Sequence, residues 1–127
     1  MSSKLHLIDT AAFLVIYGSQ SSKYGALLKV LLKAVFFYVL HNAYPNPFNP
    51  LTTINYDLPK DSFVRIGIYD LMGRQIKTLV NENMVAGYKS INWNATNDLS
   101  QPVSAGLYIY TFQTGEFMKT KKMVLIK

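Results

Sequence analysis

"FVRIGIYDLMGRQIKTLV", residues 63–80, decides how this chain folds. Val64, Ile66 and Ile68 recur at every second position, the period that sends alternate side chains of a β-strand to opposite faces. "LMGR" (71–74) interrupts the alternation with Gly73, where a tight turn needs a residue tolerant of positive φ, and "RQIKTLV" (74–80) supplies a returning strand. The stretch reads as a hairpin, and the same pattern extends in both directions. Upstream, "TTINYDL" (52–58) sets Ile54, Tyr56 and Leu58 against Thr53, Asn55 and Asp57, so one face is expected to be buried and the other wet. "FFYVL" (36–40) is a candidate first strand. Downstream, "NENMVAG" (81–87) reads as a polar loop ending in Gly87, and "YKSINW" (88–93) offers Ile91 and Trp93 to the interior. The turn-rich "NATNDLSQPVSAG" (94–106) leads to "LYIYTFQ" (107–113), in which Tyr108, Tyr110 and Phe112 share a face. "TGE" (114–116) turns the chain into a last strand, "FMKTKKMVLIK", running to residue 127. The expected fold class is all-β, an immunoglobulin-like antiparallel β-sandwich of about seven strands over residues 36–127, with Trp93 as its core anchor.

The 127 residues are 50% hydrophobic and 16% charged, which suits one small domain with an extension. Nine Tyr and seven Phe favour strands, because flat amphipathic rings pack well on a pleated surface. The absence of Cys removes a disulfide framework and thiolate metal sites, so packing must supply the stability. The net charge of +6 would attract anionic surfaces weakly but marks no nucleic-acid site. Residues 1–41 carry four lysines (Lys4, Lys23, Lys29, Lys33) against Asp9, whereas residues 42–127 carry nine basic and six acidic groups. "ALLKVLLKAVFFYVL" (26–40) has a first half that suits a helix, and with Lys29 and Lys33 inside it falls short of the about 20 apolar residues that span a bilayer. "MSSK" followed by "AAFLVIYG" (11–18) has the order of a secretory signal, but His6 and Asp9 intrude and "SQSSKYG" (19–25) offers no small-x-small cleavage site. Residues 1–35 are therefore expected to form a helical or poorly ordered extension.

Four of the five prolines fall in "AYPNPFNPLTTINYDLP" (43–59). Proline holds its own φ and pushes the preceding residue, here Tyr44, Asn46 and Asn49, towards extended geometry, while asparagine side chains can satisfy backbone groups that no ladder reaches. The stretch is expected to form a rigid bracket, with Tyr44 and Phe48 plugging one end of the sandwich. A simple ordered turn is the alternative.

Four segments in this order, "YPNPFNPLTTINYDLP", "VRIGIYDLMGRQIKTLV", "AGYKSINW" and "AGLYIYTFQTGEFMKTKKMVLIK", resemble the C-terminal sorting domain of proteins exported by the type IX secretion system of Bacteroidota and related bacteria. They are also similar to the immunoglobulin-like domain of flagellar hook-capping proteins. The first resemblance implies a β-sandwich appended to a secreted cargo and read as an address by the outer-membrane translocon. A sortase then removes it, leaving the cargo at the cell surface or in the medium. The positions that match the family's marks are Tyr44, Pro45, Asn46, Pro47, Phe48, Asn49 and Pro50 in the bracket, Asp70, Gly73 and Arg74 in the hairpin, and Gly87 and Trp93 around the fourth segment. Gly106 and Tyr108 match the sixth, and Lys122, Val124 and Lys127 match the basic, apolar end. None has a catalytic role, and no cofactor is implied. The implied partners are the translocon and sortase machinery, with no nucleic acid and no small-molecule substrate, and the domain alone is expected to be monomeric. The chain departs from the family at Asn94–Ala95, where Asp-Gly is usual, and at Ser100, where a glycine is usual, which points to a remodelled loop. The hook-cap resemblance implies instead an assembly module that buries a sheet face against copies of itself.

Other chemistry is thinly represented. His6 and His41 lie on different segments, and no G-x-S-x-G, H-E-x-x-H or phosphate-cradling glycine loop occurs. Asn94, Asn97 and Asp98 could offer oxygens to calcium, but without the spaced carboxylates and bidentate Glu of a dedicated loop they read as a solvated turn. "NAT" (94–96) fits a glycosylation sequon. In "KTKK" (119–122), Lys119 and Lys121 share one strand face, an arrangement that suits a protected sheet edge better than a phosphate site. A carbohydrate-binding sandwich would require Trp93 and the tyrosines to face outward, against the alternation.

Overall fold

Seven strands form in the order β1 (Val39–Leu40), β2 (Thr52–Leu58), β3 (Ser62–Tyr69), β4 (Gln75–Met84), β5 (Gly87–Trp93), β6 (Gly106–Thr114) and β7 (Phe117–Leu125). The computed structural model describes residues 36–127, so the helical, signal and disordered readings of residues 1–35 lie outside the described residues. Phe37–Lys127 forms a compact unit. All strand pairs are antiparallel, in a three-stranded sheet of order β1-β2-β5 and a four-stranded sheet of order β4-β3-β6-β7. The β-sandwich expected from the alternation is the observed fold.

The period-two stripes account for the core. Ile54, Tyr56 and Leu58 of β2, Val64, Ile66 and Ile68 of β3, and Tyr108, Tyr110 and Phe112 of β6 are all buried. Rings hold the two sheets face to face: Tyr56 lies 5.4 Å from Phe112, and Trp93 meets Tyr108 nearly edge-on at 5.3 Å. On the opposite face of β2, Asp57 is less wet than its place in the stripe predicts. His41 Nε2 sits 3.0 Å from both of its carboxylate oxygens and covers it.

The register gives the sandwich two ends. Thr52 pairs with Trp93, Tyr69 with Gln75 and Ile109, and Gly106 with Leu125 at one, here the bracket end. Leu58 pairs with Gly87, Ser62 with Met84, and Thr114 with Phe117 at the other, the far end. The chain enters near the far end, where the Tyr38 ring lies 5.5 Å from Phe117 and its hydroxyl meets Ser62 Oγ at 2.9 Å.

Three boundaries differ from the sequence pattern, each for a physical reason. "NENM" is strand rather than loop: Asn81–Met84 pair with Arg65–Ser62, and on an edge strand polar side chains signal an exposed face, not a turn. Of "FFYVL" only Val39–Leu40 joins the ladder, opposite Asp57 and Tyr56. The last strand ends at Leu125, short of residue 127.

After β1 the chain becomes a strap rather than a longer strand. His41 N–H donates to Asn55 O (3.0 Å), and Tyr44 exchanges both backbone hydrogen bonds with Thr53 (3.0 Å each), so residues 41–44 cover the outer edge of β2. Tyr110, reaching out of the core from the opposite sheet, accepts from Ala43 N–H (2.8 Å) and donates to His41 O (2.9 Å). Burial pushes the Tyr110 phenol above its ordinary pKa against the opposing effect of the Ala43 hydrogen bond, so the donor proton stays in place at neutral pH. Tyr110→Phe would leave a buried N–H and a C=O unpaired, a loss of about 1–3 kcal/mol. Urea denaturation should show that destabilisation, and amide exchange at Ala43 should accelerate; an unchanged midpoint would mean the hydroxyl does not hold the strap.

Candidate functional site

The bracket begins where the strap leaves β2. Thr52 Oγ1 donates to Pro45 O (2.8 Å), closing the loop on the start of the next strand. The chain then crosses to the other sheet and runs parallel to β7. Asn46 Oδ1 accepts from Val124 N–H (2.9 Å) and its Nδ2 donates to Lys122 O (3.3 Å). Phe48 N–H donates to Val124 O (2.9 Å), and Phe48 O accepts from Ile126 N–H (3.0 Å). One asparagine side chain and one phenylalanine backbone thus occupy the outward groups of Lys122, Val124 and Ile126. The bonds preceding Pro45, Pro47 and Pro50 are cis.

Phe48 is 1% exposed, with its ring 5.6 Å from Trp93, and it does plug the end of the sandwich. Tyr44 does not: it is 79% exposed, because its backbone pairing with Thr53 directs its side chain to solvent. Trp93 completes the plug, its ring tilted against Phe48 and edge-on to Tyr108, with its Nε1–H donating to Thr96 O (2.8 Å). Tyr108 donates to Ser104 O; burial, then the nearby charge of Asp70, raise its pKa. Buried in this way, Trp93 and Tyr108 form no sugar-binding platform.

The hairpin residues converge on the same end. Asp70 Oδ1 accepts from the backbone N–H of Met72 and Arg74 (2.9 Å each), and its Oδ2 accepts from Arg74 Nε (2.7 Å). Gly73 takes φ +81°, the left-handed conformation the turn requires. Desolvation pushes the Asp70 carboxyl up, but the hydrogen bonds from Arg74 and Met72 and the Arg74 charge outweigh it and hold its pKa below the ordinary value. Gly106, Val124 and Lys127 lie at or beside this end, with Lys122 two residues before Val124 on β7. Gly87 is the exception, opening β5 at the far end.

The 94–105 loop closes the opposite side of the sandwich. Asp98 N–H donates to Ile76 O, and Asp98 Oδ1 accepts from Thr78 N–H (3.0 Å each), so this loop covers the outer edge of β4. Asn97 Oδ1 accepts from Leu99 and Gln101 N–H. Of the three residues whose oxygens could meet calcium, Asn97 and Asp98 each give one side-chain oxygen to backbone donors, and Asn94 Oδ1 accepts from Thr96 Oγ1 (2.6 Å). Among the described residues no cluster of three or more His, Cys, Asp or Glu could hold a metal ion. Ala95 and Ser100, the two departures from glycine, have φ 62° and 61°. The loop keeps the left-handed backbone that glycine would adopt, with side chains attached. Position alone signalled both sites.

A sequence model of the secretion system C-terminal sorting domain matches residues 42–127, from the strap to the end of the chain. The chain belongs to this family. Among solved structures, this sorting domain is similar to the dimeric latent PorU of Porphyromonas gingivalis, with 21% identity and a TM-score of 0.54 over 70% of this chain and 9% of that one. It is also similar to PorZ of the same organism, described as an essential bacterial surface component of the type-IX secretion system (20%, TM-score 0.49, over 69% of this chain and 11% of that one). FlgD from P. aeruginosa matches 58% of this chain with 57% of its own, at 23% identity and a TM-score of 0.47. The sorting domain spans about a tenth of the length of the first two, and the likeness to PorU shows the fold. No curated protein matches.

Two substitutions test the site's construction. Phe48→Ala should destabilise the domain by about 3–5 kcal/mol, the usual cost of emptying a buried aromatic site, measured by chemical denaturation. Ser100→Gly should stabilise it by roughly 0.5–1 kcal/mol, because relief of the left-handed strain exceeds the added chain entropy. A lower denaturation midpoint for Ser100→Gly would contradict the assigned φ.

Proposed function

We propose that residues 36–127 are an export address: the sorting domain directs a cargo fused upstream through the type IX secretion system to the cell surface or medium. The observation that carries this reading is the family match over residues 42–127, which takes in both the bracket and the strand it grips. His41 and Asp57 bond to each other on the outer face of the three-stranded sheet, a pairing that shields the Asp57 carboxylate and helps hold the strap against β2. The translocon and sortase machinery are the partners in this reading, reached through the periplasm.

The domain acts as a monomer. An exposed sheet edge is a template for a second copy, and here β2, β4 and β7 are covered along part of their lengths by residues 41–48 and by Asp98. On β7, Phe117, Met123 and Leu125 pack towards the core, so Lys119 and Lys121 lie on the same inward face of an edge strand. Desolvating these ammonium groups would penalise any strand added beside them.

The full chain, fused to the C-terminus of a reporter that carries its own periplasmic signal, should take the reporter to the surface or medium of a type IX-competent host. In a translocon-deficient strain the reporter should stay in the periplasm. Retention in both strains would refute the address.

A further inference from the structure

On the central strand β3, Val64, Ile66 and Ile68 point into the core, so Arg65, Gly67 and Tyr69 belong to the outer face of the four-stranded sheet. The register sets Gly67 in a row with Thr78, Thr111 and Thr120, Arg65 in the row on one side with Gln113, and Tyr69 in the row on the other with Gln75 and Lys122. Gly67 is buried although it faces outward, because the Tyr69 ring leans back across it. A Cβ there would lie 3.0 Å from Tyr69 Oη and 3.1 Å from Cε1. Glycine weakens a strand interior and often marks a close approach to the backbone. Here it lets a ring recline in the middle of a sheet face, with its outer side left to solvent. The polar side chains beside the ring are held in place: Arg65 Nη2 donates to Gln75 Oε1, and Gln75 Nε2 to Thr78 Oγ1 (2.8 Å each). A depression of about 90 Å³ lies alongside, lined by Arg65, Gly67, Tyr69, Thr111, Gln113 and Met118.

No Asp or Glu stands on the outer face of these four strands. Glu82, the one carboxylate within them, pairs with Val64 and so shares the inward side, and Asp70, just past Tyr69, is taken by Arg74. Arg65 and Lys122 flank the ring from opposite sides, and among the described residues neither enters an ion pair. The remaining groups narrow the ligand. Threonine hydroxyls and glutamine carboxamides both donate and accept, which matches a molecule rich in hydroxyl groups. An aromatic ring lying on the sheet offers its face to the C–H side of a sugar. Two cations with no carboxylate beside them favour a ligand that also carries acidic groups. A nucleic-acid backbone presents acceptors alone and is gripped by a larger set of cations.

We propose that the outer face of the four-stranded sheet binds an acidic polysaccharide, with Tyr69 as the stacking ring, the threonines and Gln113 as hydroxyl partners, and Arg65 and Lys122 as carboxylate partners. The site is separate from the bracket and independent of the export reading. Trp93 and Tyr108, the rings whose orientation the sequence pattern raised for sugar binding, are buried; Tyr69 is the one that faces outward with polar groups arranged around it.

Calorimetric titration of the full chain with polygalacturonate and with hyaluronan, against neutral dextran, tests the site. The acidic chains should bind, and dextran should bind about tenfold more weakly or not at all, the order expected for one charge-assisted hydrogen bond. Tyr69→Ala and Arg65→Gln should each weaken binding about tenfold. Lys60→Gln removes one charge outside this face, before β3, and should bind like the parent. Failure of the parent to bind either acidic chain, equal binding of dextran, or an equal loss in Lys60→Gln would each overturn the proposal. Should Tyr69→Ala fold poorly once the glycine is uncovered, Lys122→Gln alters an exposed side chain only. It should also weaken binding, and unchanged affinity would overturn the site. Single-stranded DNA at the same ionic strength should bind more weakly than the acidic glycans. Tighter binding of DNA that Arg65→Gln abolishes would assign the face to nucleic acid and overturn the polysaccharide.

Discussion

Backbone groups along the open sides of a two-sheet sandwich must find partners or remain in water, and this domain answers that constraint with side chains and irregular segments rather than more strands. On one side the strap covers β2, then crosses to β7, where Asn46 and Phe48 take up its outward groups. On the other, Asp98 does the same for β4. Tyr110 joins the first closure to the core, so that a residue of one sheet holds the segment lining the other. Among the described residues every buried side-chain nitrogen and oxygen has a partner.

The proline-rich bracket takes its meaning from this arrangement. Its stiffness limits the ways the chain can leave β2, cross between sheets and return as the next strand. Asn46 works because a carboxamide presents a donor and an acceptor together, as a strand's own backbone does. Phe48 adds an apolar plug between the sheets, against Trp93. The positions that the sequence resemblance singles out, all but Gly87, are scattered along the chain but gather in one half of the molecule because β3, β5 and β7 all finish there and β4 and β6 begin there.

The architecture was legible because strand period and turn chemistry agree. Ile54, Tyr56, Leu58, Val64, Ile66 and Ile68 declared their faces without help from tertiary context. Legibility failed where pairing overrides composition. "NENM" is polar yet paired, since an edge strand with one wet face needs no continuous apolar signal. Asp57 belongs to the wet face yet is covered, because the residue that covers it lies in the strap 16 positions away. Tyr44 looked like a plug because it is aromatic and precedes proline, but its backbone pairing decides where its ring goes. In the 94–105 loop, Asn97 and Asp98 carry the right atoms for a cation and use them on neighbouring N–H groups. Spacing within a sequence cannot reveal that competition.

Asn46 meets its partners Lys122 and Val124 across 76 and 78 positions of chain. Contacts of such long sequence separation form late, because the intervening loop must close before they can reward it. During synthesis, the proline-rich segment emerges long before the strand that will hold it, and the two can meet only once β7 has been made. Until then β7 is missing, and the four-stranded sheet lacks an edge together with the side of the core that Met123 and Leu125 fill. The compact state of this domain is therefore out of reach until β7 has been made.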